Sequence, residues 1–158
     1  MSDFVEHRLI AAGFRLPPLP DAKGRYRTAA RHDDVLHLSA HGPFGEDGGF
    51  THVGAVGGEL SIDEGRLAAQ ACALALLASA RQTVGTLDAV EEVLTLRGYV
   101  HALPGFTDQA AVVDGASEVL EVAFGDRGRA ARTTVGVAGL PFGLPVVVEA
   151  TMAIGDPS

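Results

Sequence analysis

Apolar and polar positions alternate along this chain in two periods, and the switches between them outline the elements. Phe4, Val5, Leu9 and Ile10 fall roughly on one face of a short amphipathic helix within the first fourteen residues. A Pro-rich connection, LPPLPDAKG (16–24), follows. RYRTAARHDDVLHLSA then reads as a hairpin with its turn at 32–34 and its second strand at 35–40. Residues 41–60 are glycine-rich and read as loop, with a short strand near Thr51–Val56.

SIDEGRLAAQACALALLASARQTVG is the clearest helix. Ser61 and Glu64 have the spacing of a capping box, and Gly85 supplies a stop. Leu67, Ala71, Leu74 and Ala78 recur at helical spacing and predict its inner face. Residues 90–102 alternate as a strand. A second helix follows, with Phe106, Ala110, Val113, Leu120 and Phe124 as its inner stripe and Gly125 as its stop. The chain closes on strand 132–139, the turn LPFGLP, and strand 146–154, which together read as a hairpin.

This order predicts an α+β fold: a mixed sheet of about six strands with two main helices on one face. The predicted strands look rich in Val and Ala on both faces. The uncovered face therefore predicts a homo-oligomer.

Composition narrows the function. A chain of 158 residues that is 47% hydrophobic fits one domain, residues 1–158, with a helical extension (1–14) and a core (25–153). No apolar run is long enough for a membrane span, and acids and a His interrupt the N-terminal apolar pattern. The expectation is a cytoplasmic protein with no membrane partner. The single cysteine, Cys72, lies in an apolar helical run and predicts a buried thiol. It permits neither an internal disulfide nor a cysteine zinc site. A net charge of −8 without a Lys/Arg cluster argues against nucleic-acid binding.

Arg132 and Glu149 stand out as a guanidinium and a carboxylate on the otherwise apolar last segment. Three stretches together, VLHLSAHGP, VVDGASEVLEVAFGDRGRAAR and TTVGVAGLPFGLPVVVEA, resemble the RidA/YjgF family. These are the reactive intermediate deaminases also labelled L-PSP endoribonucleases. The resemblance spans roughly residues 15–153 and is closest to a subgroup with an N-terminal helical extension and an NGAS-like segment. It implies a chorismate-mutase-like fold and a homotrimer with its sites in clefts between subunits. It also implies hydrolysis of imine or enamine acids with no metal or organic cofactor.

Carried over by position, the resemblance makes Arg132 a clamp for the substrate carboxylate, which suits a planar fork of donors. Tyr26, Ser39 and Ala40 would line the cleft, with Ala40 where the family has glycine. His41 stands at the family's Gln position, either as a substitute polar group or, as the favoured reading, a surface loop residue. Asp114 occupies a position usually held by asparagine, and Thr134 one often held by cysteine. Active members carry Glu-x-Glu in the last strand, whereas this chain reads Val147-Val148-Glu149. Glu149 matches the second Glu, on the same strand face as Val147 and about 7 Å from it. Three readings stay open: an imine hydrolase with a rewired water-positioning group, a non-catalytic small-carboxylate binder, and the disfavoured ribonuclease.

Overall fold

The structure is a computed structural model that describes residues 3–156. Helix α1 (Phe4–Ala11) is followed by strands β1 (Ala29–His32) and β2 (Val35–His41), joined by a two-residue turn at Asp33 and Asp34. Asp33 takes a positive φ of 53°, a conformation Asp and Asn tolerate better than most residues. Helix α2 (Ile62–Val84), strand β3 (Val90–His101), helix α3 (Gln109–Phe124), and strands β4 (Ala131–Val137) and β5 (Val146–Ile154) complete the order.

The sheet has five strands in the order β1-β2-β5-β3-β4, one fewer than the sequence predicts. The expected strand near Thr51–Val56 does not form. Only isolated bridges occur there, between Phe44 and Phe50 and from Val56 to Leu60 and Ala102. The final hairpin is also corrected. β4 pairs in parallel with β3, while β5 inserts antiparallel between β2 and β3. Helix α3 is thus the crossover of a β3-α3-β4 unit, because parallel neighbours require a long connection. The turn-like LPFGLP carries the chain from an edge strand to the sheet centre.

Alternation along the strands divides the two sheet faces. Leu36, Leu38, Leu96, Val100, Val146, Val148, Ala150 and Met152 are buried on the face covered by α2 and α3. The capping box forms as the spacing predicts: Ser61 Oγ accepts from Glu64 N–H, and the Glu64 carboxylate accepts from Ser61 N–H. The inner face of α2 is not the predicted one. Leu67 is exposed, and the buried positions are Ala68, Ala69, Cys72, Ala73, Leu76, Leu77 and Ala80 among others. With Ala or Leu on nearly every side of this helix, hydrophobic periodicity does not single out one stripe.

In α3, Val113, Leu120 and Phe124 point inward as expected, but Ala110 is exposed and Phe106 precedes the helix. In α1, Val5 and Leu9 are buried while Phe4 and Ile10 are exposed, so the packing face is the i, i+4 pair alone. The open sheet face is less apolar than expected. Arg97, Tyr99, Glu149 and Thr151 share it with Val135 and Val147.

Asp3 anchors α1 to the body. Its carboxylate accepts from Glu6 N–H at 2.9 Å, as an N-cap, and from Thr86 Oγ1 and Leu87 N–H at 2.9 Å each. Burial pushes the Asp3 pKa up, but these hydrogen bonds together outweigh it, and the net shift is downward from 3.8. A carboxyl with a depressed folded pKa stabilises above its unfolded pKa, and that stability is lost as pH falls through the folded value. Asp3→Ala should therefore lower the melting temperature at pH 7. The gap to the parent should close on acidification below about pH 4, as thermal melts across that range would show.

Candidate functional site

The sheet register decides which candidate residues can meet. Arg132 lies opposite Leu96, Leu96 opposite Ala150, and Ala150 opposite Leu38. Leu96, Ala150 and Leu38 are buried beneath the helices, so Arg132 projects toward the helical face. The next rung runs Thr133, Arg97, Glu149 and lies on the open face. Arg132 and Glu149 therefore sit on opposite faces of the sheet and do not meet within one copy.

On the helical side, β4 is an edge strand, and α3 carries Asp114 and Ser117 past the Arg132 guanidinium. Arg132 Nη1 donates to Asp114 Oδ1 at 2.6 Å and to Ser117 Oγ at 3.1 Å. The Arg132 side chain is 25% exposed and that of Asp114 is 55% exposed. Both bonds use one terminal nitrogen. Nε and Nη2 make no hydrogen bond among the described residues, which leaves one edge of the fork open to a bidentate anion. Ser117 was not singled out in the sequence, although its position one helical turn after Asp114 was a usable signal. Thr134, two residues along β4, has a buried Oγ1 with no partner among the described residues.

Tyr26, Ser39 and Ala40 gather elsewhere. They line a cavity of about 330 Å³ near the β1–β2 edge, together with His41, Leu144 and Val147. Tyr26 lies in the bend before β1 and is half-exposed. Ser39 sits where the β2–β5 register slips, and its Oγ donates to Thr28 O at 3.3 Å. From β2 to β4 the sheet crosses three strand spacings, about 14 Å. The candidate residues of one copy thus fall in two separate places: a partly open guanidinium at one edge and an apolar cavity toward the other.

His41 is a buried residue, not the surface residue the sequence favours. It is 5% exposed, and its Nδ1 lies 2.6 Å from Ser39 O. Burial lowers its pKa, against the opposing pull of the Ser39 carbonyl, so the ring is held neutral at pH 7. Its Nε2 is closed off and has no partner among the described residues. Glu149 is also engaged: Tyr99 Oη donates to Glu149 Oε1 at 2.5 Å. That hydrogen bond, then burial and the Glu149 charge, raise the Tyr99 pKa, with Arg97 acting in the opposite direction. Tyr99 went unnoticed in the sequence because its nearness to Glu149 depends on the β3–β5 register. Cys72 is fully buried, with its thiol pKa pushed well up by desolvation, as a core thiol should be.

Comparisons with known proteins agree with this architecture. Residues 6–149 match the family described as "YjgF/chorismate mutase-like, putative endoribonuclease". Protein TCP17 of Trypanosoma cruzi is 37% identical over 153 residues, covering 96% of this chain and 95% of that one. A crystal structure of a protein of unknown function from Agrobacterium tumefaciens superposes with a TM-score of 0.90 at 32% identity, covering 98% of this chain and 94% of its own. A "putative endoribonuclease" from Shewanella oneidensis gives 0.91 at 26% identity, covering 95% and 99%. RidA from an Antarctic Psychrobacter shares the fold, with a TM-score of 0.59 at 20% identity over 86% and 94% of the two chains. With residues 6–149 matched to the family model and a relative 37% identical over 96% of its length, this chain belongs to the YjgF/chorismate mutase-like family.

Proposed function

We propose that this protein binds a small carboxylate in a cleft completed by a second copy of the chain, within a homotrimer whose open sheet faces turn inward. The observation that carries this reading is the split of the candidate residues into two half-sites at opposite edges of one sheet. Assembly edge to edge would bring the Arg132 fork of one copy against the Tyr26–Ser39 cavity of the next. The open face, with Val135 and Val147 beside Arg97 and Glu149, would be covered in the same step.

The chemistry within reach favours binding over rapid turnover. Hydrolysis of an imine adds water at the C=N carbon, and the resulting carbinolamine expels ammonia to leave the 2-oxo acid. That sequence needs a group to take the proton of the water and a group to give one to nitrogen. Val147 offers neither, Glu149 is held by Tyr99 on the open face, and His41 Nε2 is enclosed. Loss of a positioned acid/base costs roughly 10²–10⁴ in rate. A hydrolytic reading keeps one specific support: Glu149 stands two residues from Val147 on the same strand face, in contact with a phenol that can relay a proton.

Ligand titration with pyruvate, run beside ammonia release from 2-iminopropanoate generated in situ, separates the two. Binding without ammonia release above the uncatalysed rate supports the binder, and ammonia release abolished by Glu149→Gln supports the hydrolase. Asp114→Asn should raise pyruvate affinity several-fold, because it removes an anion that competes for Arg132. Calorimetry on the two proteins checks this. Ribonuclease activity is disfavoured by the net charge of −8.

A further inference from the structure

The open sheet face carries two opposite charges that do not pair within one copy. Arg97 on β3 and Glu149 on β5 are direct cross-strand neighbours in the antiparallel ladder. Residues so placed have Cβ atoms about 5 Å apart, and opposite charges there ordinarily attract and close. Here they stay apart. Glu149 turns to the next rung, where Tyr99 Oη donates to its Oε1 at 2.5 Å, and its Oε2 accepts no hydrogen bond among the described residues. Arg97 is exposed and makes no side-chain hydrogen bond or ion pair among the described residues. Thr133 beside it on β4 and Thr95 before it on β3 are too short to cover it. On the following rung of the same face, Val135 is 39% exposed and Val147 half-buried, so apolar surface adjoins the two charges.

A free guanidinium and a free carboxylate oxygen on one face make that face complementary to a copy of itself. In a cyclic assembly, each copy offers Arg97 to one neighbour and receives the other neighbour's Arg97 at Glu149, so every charge is used and the ring closes. An unrelated acidic partner would answer Arg97 and leave the Glu149 oxygen unanswered. We infer that Arg97 of one copy closes on the free Glu149 oxygen of the next, forming a ring of ion pairs that holds the open faces together. The inference rests on the reading that these faces turn inward in a trimer. Tyr99 keeps the Glu149 carboxylate fixed by occupying its other oxygen. Enclosed by the threonines and valines of three copies, the pairs are screened by salt far less than surface pairs are. Glu149 then serves assembly rather than water activation.

The test is charge reversal. Arg97→Glu and Glu149→Arg copies, carrying different affinity tags, are followed by light scattering over a dilution series, each alone and co-expressed. Each reversal alone sets like charges across every interface and should raise the dissociation constant of the trimer about tenfold or more. Mixing restores opposite charges at most interfaces of a trimer that holds both copies, and its dissociation constant should fall back toward the parent's. Within one copy, each reversal leaves two like charges side by side, which mixing does not relieve, so recovery reports pairing between copies. If circular dichroism shows a reversal unfolded, Arg97→Gln, Glu149→Gln and their double variant carry the test: each single should weaken the trimer, and the double no more than either single. A parent trimer whose dissociation neither reversal changes, reversals that weaken it without recovery on mixing, or an additive double variant each overturn the ion-pair ring and leave the trimer reading standing. A monomeric parent overturns the trimer reading, and this inference with it.

Discussion

Arg132→Ala should weaken pyruvate binding about 100-fold, with little change in melting temperature. Removing one partner of a desolvated charge pair costs roughly 2–5 kcal/mol, and tenfold in affinity corresponds to about 1.4 kcal/mol. The partly exposed fork belongs in the lower half of that range. The fold does not depend on it: Arg132 lies on the edge strand β4, and its partners Asp114 and Ser117 are on the solvent side of α3. Arg132→Lys should fall between the parent and Arg132→Ala, because an ammonium keeps the charge but loses the planar fork. Calorimetric titration with paired thermal melts separates lost binding from lost folding.

A large stability effect is expected at Gly115, where α3 crosses α2. A Cβ on Gly115 would overlap the Arg66 backbone oxygen and stand 3.0 Å from its carbonyl carbon. Ala in place of Gly inside a helix is worth about 1 kcal/mol in propensity. Here that gain is outweighed, because the neighbour is backbone, and relief requires the two helices to move apart. Overpacking of this kind costs typically 1–3 kcal/mol and occasionally more. Gly115→Ala should therefore lower stability by about 2 kcal/mol net, measured by urea unfolding. An unchanged or raised midpoint would contradict the packing described for α2 and α3.

Much of the fold was legible because local chemistry fixed it. Ser61 and Glu64 named the start of α2, Gly85 and Gly125 named two helix ends, and alternation named β3. The pairing of β4 and β5 was not legible. A short connection between two strands looks like a hairpin whether or not a third strand lies between them, and the insertion of β5 beside β3 is a long-range event. The inner stripe of α2 failed for a different reason: its alanines make every face plausible.

The candidate site divides along the same line. Arg132, Asp114, Tyr26, Ser39 and Ala40 came from position and resemblance, and each lies beside an opening on the surface. Their separation came from register, which periodicity along single strands does not encode. The burial of His41 came from the slip between Leu38 and His41, where β2 turns that side chain inward. The run of rings Phe44–Phe50–Phe142 along the cavity wall joins two distant loops and has no local signature.

The central claim is that a second copy completes the cleft, and mixed assemblies test it most directly. Arg132→Ala copies and Leu144→Trp copies, in which the larger ring fills the cavity, would carry different affinity tags, be co-expressed and purified through both tags, and pyruvate binding then titrated. Each variant alone should bind poorly. If Arg132 and the cavity meet across subunits, the mixed assembly regains a fraction of intact sites, on the order of a third in a trimer with both copies present. If each copy holds its own site, or no assembly forms, the mixture binds no better than the two variants measured separately.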